Sequence, residues 1–258
     1  MTFSAHSADV YDRIGGNYLQ HRVPDPRIAA QINAALGDAA SIVNVGAGAG
    51  AYEPADRLVV AVEPAETMLA QRAGEAAPAV RAVAEALPFP DRSFDAALAV
   101  LTVHHWSDAA RGLAELRRVA GRIVIFTTLA DRINQLWLTS EYFPAMARVR
   151  RPGIQPARLA AMLGGEVTVR PVLVPRDCTD GFGEAYWGRP EAYLDPAVRS
   201  CASAFSLLSD DEIEPGTARL RADLESGAWD ARHGELRHLA EYDTGHRLVV
   251  AAPLGSET

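Results

Sequence analysis

The sequence predicts an α/β fold: a mostly parallel, doubly wound sheet with helices on both faces. The first observation is alternation, because short apolar runs at 42–45, 58–62, 79–83, 96–103 and 122–128 are separated by amphipathic or capped segments. The second is the character of the runs, which are β-branched and bounded by glycine or a charge, as suits strands buried on both faces. The third is the stretch 41–63, SIVNVGAGAGAYEPADRLVVAVE, in which two such runs flank glycines at 46, 48 and 50 and the second ends on Glu63. Alternating glycines permit positive φ and close approach of a ligand. A carboxylate at the end of the neighbouring strand can take both hydroxyls of a ribose. The stretch therefore points to a nucleoside-containing cofactor.

In chain order, residues 11–22 read as a mobile arm, with Gly15 and Gly16 interrupting any helix. Residues 23–36 give a helix with Asp25 as cap, Pro26 in its first turn, Ile28, Ile32 and Leu36 at helical spacing, and Gly37 as its end. After Glu63 a helix closed by Gly74 is expected, then a short third strand over 79–83 at the sheet edge. A proline-punctuated loop leads into the fourth strand, 96–103, which ends in HHW; as strand neighbours, His104 and His105 would face opposite ways. Residues 108–120 form an amphipathic helix with Leu113, Leu116 and Val119 inward, and 122–128 a fifth strand. Beyond Thr128 the alternation breaks. Residues 129–164 read as one or two helices, 166–174 as a sixth strand and 246–252 as a seventh. The intervening stretch of about seventy residues is long for a mere connection. Such loops at the ligand end usually carry specificity, so 1–25, 129–160 and 175–245 are read as lid elements of a single 1–258 domain.

The 258 residues carry 25 basic against 33 acidic side chains, a net charge of −8, which opposes a polyanionic partner such as nucleic acid. All the basic residues are arginine, so lysine-based chemistry is excluded. Cys178 and Cys201 form neither a metal-spaced set nor a disulfide framework, which suits a reducing cytoplasm. The start of the chain lacks a charged leader with an apolar core, and no apolar run is long enough to span a bilayer. A soluble, cytoplasmic monomer or homodimer with a small-molecule partner, away from membranes and without a metal, is expected.

Gly46, Gly48 and Ala51 also satisfy the dinucleotide fingerprint G-x-G-x-x-A. A dinucleotide needs a helix directly after the glycines to receive its pyrophosphate. Here residues 51–57, with Pro54 among them, leave room for little more than one helical turn. A cofactor without phosphate does not need that helix, which favours S-adenosylmethionine.

Over residues 10–130 the chain resembles the class I S-adenosylmethionine-dependent methyltransferases, in particular the small-molecule group of methyltransferase type 11 that includes ubiquinone and menaquinone biosynthesis enzymes. VNVGAGAG is similar to the family's glycine motif, VVAVEPAETMLAQ to its ribose-binding acid and following helix, AEALPFPDRSFDAALAV to its adenine-side loop and fourth strand, and LTVHHW to the strand end facing the transferred methyl. The resemblance implies a Rossmann-like, seven-stranded sheet. It implies that Glu63 binds ribose, that Gly46, Gly48 and Gly50 border the methionine and ribose portions, and that Met68 and the main chain of Ala84 and Glu85 border adenine. Three positions depart from the family: Asn44 stands where aspartate is usual, Val83 where an adenine-binding aspartate is common, and the first helix is truncated.

The candidate cofactor residues are Tyr18, Arg22, Asn44, Gly46, Ala47, Gly48, Gly50, Glu63, Pro64, Met68, Ala84, Glu85 and Leu101; the candidate catalytic residues are His105 and, after it, His104. Each has a plainer alternative. Glu63 could cap the helix that follows, and in place of Val83 the adenine amine could be met by main chain, water or Glu85. The histidines could shape the pocket without moving a proton. Tyr18 and Arg22 are either a packed ring and a solvated charge or a gate whose guanidinium meets the cofactor carboxylate. Trp137, Tyr142, Tyr186 and Trp187 read as lid core before substrate platform, Cys178 as inert, and Asp177 with Asp180 as too few for a metal cage. The expected activity is methyl transfer to an oxygen, nitrogen or carbon of a small, aromatic or secondary metabolite. The alternatives are a non-catalytic cofactor-binding protein, motivated by Asn44 and Val83, and a cofactor-dependent enzyme that transfers no methyl.

Overall fold

A computed structural model describes residues 22–150 and 153–253; Tyr18 and the rest of the predicted arm up to residue 21 lie outside them. Helix α1 (Pro26–Leu36) precedes β1 (Ser41–Val45) and β2 (Leu58–Val62). Then come α2 (Glu66–Ala70), β3 (Ala79–Val80), β4 (Phe94–Val100), α3 (Ala109–Val119) and β5 (Ala120–Thr128). The strands form a seven-stranded sheet in the order β3-β2-β1-β4-β5-β9-β6, with β6 (Val167–Pro171) and β9 (His246–Ala251) at one end. β9 runs antiparallel to both β5 and β6, and the other pairings are parallel.

Strand periodicity divides the core between the two faces. In β5, Val124 and Phe126 pack with α1 residues Ile28, Ile32 and Leu36, while Ile123 and Ile125 pack with Leu113, Leu116 and Val119 of α3. The predicted caps are in place. The Asp25 side chain accepts from the Arg27 N–H, Gly37 closes α1 at φ 63°, and Asp108 caps α3 through the Arg111 N–H.

Several expectations need correction. α2 stops at Ala70 with Gln71 as its cap, so Gly74 does not end it. The third strand is reduced to Ala79–Val80, at the sheet edge as expected. The fourth strand ends at Val100, because Leu101 turns to φ 50° and its N–H donates to the Phe126 carbonyl at 2.7 Å. His104 and His105 therefore belong to a 3₁₀ turn (Val103–His105), and strand alternation does not govern them. The predicted strand over 166–174 is divided: β6 ends at Pro171, and β7 (Val174–Pro175) pairs with β8 (Glu241–Tyr242) in a separate ribbon.

The region read as one or two helices is α4 (Ala130–Gln135), a π-helical turn (Leu138–Tyr142), α5 (Ala145–Val149) and α6 (Pro156–Leu163). The later insertion carries α7 (Pro196–Ser200), α8 (Asp210–Glu225) and α9 (Ala228–His233). Among the described residues no helix is long and apolar enough to cross a membrane.

The amino-terminal end of α1 is fastened to the insertion. Asp25 accepts from the Arg27 side chain at 2.7 and 3.0 Å and from the Thr179 N–H at 3.2 Å, and Arg27 pairs with Asp177 at 2.7 Å. Burial alone would raise the Asp25 carboxyl, but the Arg27 and Thr179 bonds outweigh it and hold the group down at about 2. A depressed carboxyl contributes stability above its unfolded pKa and loses it as pH falls through the folded value. Asp25→Asn keeps a capping oxygen and removes the charge. It should lower stability at pH 7 by about 1–2 kcal/mol after solvent screening. The gap to the parent protein should close between about pH 4 and pH 2, read from denaturant melts at a series of pH values.

Candidate active site

The carboxyl ends of β1, β2, β4 and β5 open on a cavity of about 700 Å³. Its first wall is the glycine turn, where Gly46, Gly48 and Gly50 take φ values of 71°, 53° and 98°. The Gly46 and Ala47 N–H groups donate to the Val62 carbonyl at 2.8 and 3.0 Å, which folds the turn over the end of β2. A Cβ on Gly46 would sit 2.0 Å from Thr102 Oγ1, so the turn and the end of β4 approach only because that side chain is missing.

Glu63 is 7% exposed and borders the cavity. Its Oε2 accepts from the Gly48 N–H at 2.8 Å and its Oε1 from the Ala65 N–H at 3.0 Å, so it ties the glycine turn to the approach of α2. Burial raises its carboxyl above the usual range, against the pull of those two N–H groups and of Arg72. Both readings of Glu63 thus meet in one side chain: it braces main chain and faces the cavity.

Asn44 is 1% exposed. Its Nδ2 donates to Glu53 Oε1 at 3.0 Å, while its Oδ1, on a residue that borders the cavity, has no hydrogen-bond partner among the described residues. Glu53 is held by Arg72, which reaches both carboxylate oxygens at 2.8 and 2.9 Å and also the carbonyls of Ala77 and Gly48. Asn44 is thus anchored through Glu53 and Arg72, and Glu53 itself does not border the cavity. No helix forms between Gly50 and Leu58. Tyr52 fills part of its place, buried at φ 63°, with its hydroxyl donating to Asp180 Oδ2 at 2.9 Å.

Arg22 borders the same cavity, and its Nε donates to Asp180 Oδ1 at 2.6 Å; with 11% of its side chain exposed it is no solvated charge. Glu85 also borders the cavity. Its Oε1 accepts from the Ser107 N–H, the Ser107 hydroxyl and the Asp108 N–H at 2.7, 2.7 and 3.0 Å, so that oxygen braces the start of α3. Val83 stands at the cavity edge, 37% exposed. Ala47, Pro64, Met68, Ala84 and Leu101 also border the cavity. His104 and His105 both do so, with ring centroids 4.0 Å apart, which corrects the expectation that one would point away.

The opposite wall comes from the segments beyond Thr128, including Ile133, Val149, Phe182 and Ala202. There Arg150 donates to Asn134 Oδ1, Thr139 Oγ1 and Glu184 Oε1 at 3.1, 3.1 and 2.7 Å. Sequence reasoning passed over Tyr52, Glu53, Arg72, Arg150, Glu184 and His246. It considered Asp180 only as a metal ligand. The one available signal was the density of ionisable groups in 176–190. Trp137, Tyr142 and Trp187 are buried in the insertions' own core, with the Trp137 indole N–H on the Trp187 carbonyl, and with Tyr186 they stand away from the cavity lining. Burial pushes the Cys178 thiol up to about 12. Among the described residues no group of His, Cys, Asp and Glu side chains could hold a metal ion.

The methyltransferase-domain family model matches residues 43–125. A protein of Anabaena variabilis, assigned as a methyltransferase of an antibiotic biosynthesis pathway, is 33% identical, with a TM-score of 0.83 over 90% of this chain and 99% of that one. The chain is a class I S-adenosylmethionine-dependent methyltransferase. This methyltransferase also shares its fold with an S-adenosylmethionine-dependent methyltransferase of Thermotoga maritima, 17% identical, with a TM-score of 0.58 over 95% and 99% of the two chains. It is 32% identical over 60 residues to the uncharacterised protein YafE of Escherichia coli, spanning 21% of this chain and 29% of YafE. The cofactor of the family is S-adenosylmethionine, and the lining fits it: a buried acceptor on Asn44 without a partner among the described residues, a turn of alternating glycine and alanine, and an acid at the end of β2.

Gly46→Ala should destabilise the methyltransferase by about 2–4 kcal/mol, from overpacking against Thr102 and from positive φ. Gly74→Ala, where a Cβ meets nothing within 4 Å, should stay within about 0.5 kcal/mol of the parent. Paired urea melts check the difference.

Proposed function

We propose that the protein transfers a methyl group from S-adenosylmethionine to an oxygen, nitrogen or carbon of a small, largely apolar metabolite. The observation that carries this is the continuity of the cavity, which runs from the glycine turn to a far wall built mainly from apolar side chains of the two insertions. The 33% identity to a protein placed in antibiotic biosynthesis supports a secondary metabolite as acceptor.

In this reading the cofactor lies over β2, β1 and β4. It supplies an electrophilic methyl on a sulfonium. Glu63 receives the ribose hydroxyls on the lone pairs that Gly48 and Ala65 leave open, and Asn44 Oδ1 accepts from the ammonium group. The main chain of 46–50 runs beside the methionine portion, with Ala47, Pro64 and Leu101 closing around it, and Met68 and the main chain of Ala84 and Glu85 border adenine. Arg22, held by Asp180 beside the cavity, is the candidate to face a cofactor carboxylate. Segments 129–160 and 175–245 act as the lid, aligning the acceptor and excluding water. His105, with His104 against it at the cavity wall, is the candidate base that would take the proton of an alcohol or phenol acceptor.

The deciding experiment is a panel of small aromatic and polyketide-like acceptors incubated with the enzyme and S-adenosylmethionine, read by product mass and by release of adenosylhomocysteine. Cofactor binding without turnover across the panel would favour the non-catalytic alternative. A product rearranged at unchanged mass would favour the enzyme that transfers no methyl.

Glu63→Ala should weaken adenosylhomocysteine binding by about 1–3 kcal/mol, the scale of charge-assisted hydrogen bonds; an unchanged dissociation constant by calorimetry would reduce Glu63 to a main-chain brace. For the histidines, His105→Ala or His104→Ala should lose about 10²–10⁴ in kcat at constant cofactor affinity, with loss of the acidic limb of the pH profile. Near-normal kcat in both would assign catalysis to alignment alone.

A further inference from the structure

The far end of the cavity contains a histidine that no step above employs. His246 opens β9, pairs with Thr128 across the sheet, and borders the cavity although none of its surface is measurably exposed. In the sheet order it lies three strands from Asn44, about 14 Å away at ordinary strand spacing. It therefore stands at the acceptor end. Its ring packs against Phe126 at 5.3 Å and Phe182 at 4.5 Å between centroids, and Phe182 also borders the cavity.

The hydrogen bonding around this ring is lopsided. Nδ1 lies 2.8 Å from Thr244 Oγ1, both residues being fully buried, whereas among the described residues Nε2 has no hydrogen-bond partner. Burial pushes the imidazole down to about 3, with Asp243 opposing and the guanidiniums of Arg247, Arg22 and Arg150 adding to the effect, so the ring is neutral and carries one proton. If the Thr244 hydroxyl donates to Nδ1, the ring proton is on Nε2 and a single buried group is left unmet. If Nδ1–H donates to Thr244, the hydroxyl proton and the Nε2 lone pair are both left unmet. Unpaired buried polar groups are expensive, so the first arrangement prevails and an N–H donor stands at the acceptor end without a partner.

We propose that His246 Nε2–H binds the methyl acceptor by donating a hydrogen bond to one of its oxygens, which identifies the acceptor as a flat, mostly apolar molecule with a carbonyl-type oxygen on its rim. The flatness follows from the Phe182 ring beside the donor. A neutral oxygen is favoured over a carboxylate because the neighbouring guanidiniums are already matched, Arg22 by Asp180 and Arg150 by Glu184. The inference rests on reading this end of the cavity as the acceptor site.

The test uses the full chain, labelled with ¹⁵N at histidine, with and without saturating adenosylhomocysteine. Long-range proton–nitrogen spectra at neutral pH should show His246 neutral and protonated at Nε2; a ring protonated at Nδ1, or an imidazolium, overturns the proposal. Acetophenone and α-methylstyrene, which share a shape and differ by a carbonyl oxygen, are then titrated as probes. Acetophenone should bind about tenfold more tightly, since a site with an unmet donor rejects the isostere lacking the oxygen. His246→Leu should abolish that preference, and His246→Gln, which keeps an N–H near the Nε2 position, should retain it. Equal binding of the two probes, binding of neither, or a preference that survives in His246→Leu overturns the proposal. Failure to bind adenosylhomocysteine in the same titrations would instead count against the cofactor reading, and the probe comparison decides the His246 assignment in either case.

Discussion

The carboxylate of Asp180 is the joint on which the cavity depends. It is 1% exposed and takes its hydrogen bonds from two distant parts of the chain, Arg22 before the first helix and Tyr52 just past the glycine turn. A buried carboxylate is tolerable only when paired and hydrogen-bonded, so these partners must come together for the insertion to settle on the sheet. Tyr52 is the more telling partner. Its hydroxyl also receives the Asp25 N–H at 3.4 Å, and its ring meets Phe126 at 6.2 Å, so one side chain anchors the exit of the turn to the core and to the insertion. The omitted helix after β1 makes room for it.

The arginine-only composition has a structural counterpart. Arg72 serves two carbonyls and both oxygens of Glu53, and Arg117 reaches carbonyls of Leu163, Gly164 and Ala252, joining α3 to the end of α6 and to the residue after β9. A planar fork with five donors can satisfy several carbonyls in fixed directions, which an ammonium cannot do as well. The cavity inherits the same habit: Arg22 and Arg150, which border it, are each answered by an acid, Asp180 and Glu184.

What was legible in the sequence was local. β1, β2, β5, α1 and α3 announce themselves by valine runs, caps and helical spacing, and Glu63 by its place after the glycines, because each depends on neighbours a few residues away. The end of β4 was misread because Leu101 adopts positive φ without a glycine to signal it. The partners of Asp180 and Arg150 were hidden for another reason. Arg22 and Asp180 are 158 residues apart and Arg150 and Glu184 are 34 apart, and no periodicity connects such positions. His246 read simply as the first residue of a strand; its significance depends on which nitrogen lacks a partner, which only three-dimensional neighbours decide. Glu63 shows the intermediate case, where both proposed roles are compatible because a carboxylate has more lone pairs than either role consumes.

The placement of β9 between β5 and β6 has a consequence for how the chain reaches this state. All the parallel strands, the insertion and β6 are synthesised before β9, yet β9 fills the gap between two of them. Until it arrives, β5 presents an unpaired edge and β6 has no neighbour in the sheet, a condition that invites pairing with other chains. The final closure also joins positions far apart in sequence, which slows it. While residues 129–245 are being made, the nascent protein therefore carries β5 with one edge unpaired. The strand that ends this exposure is also the one that brings His246 to the cavity, so completion of the sheet and completion of the pocket are a single event.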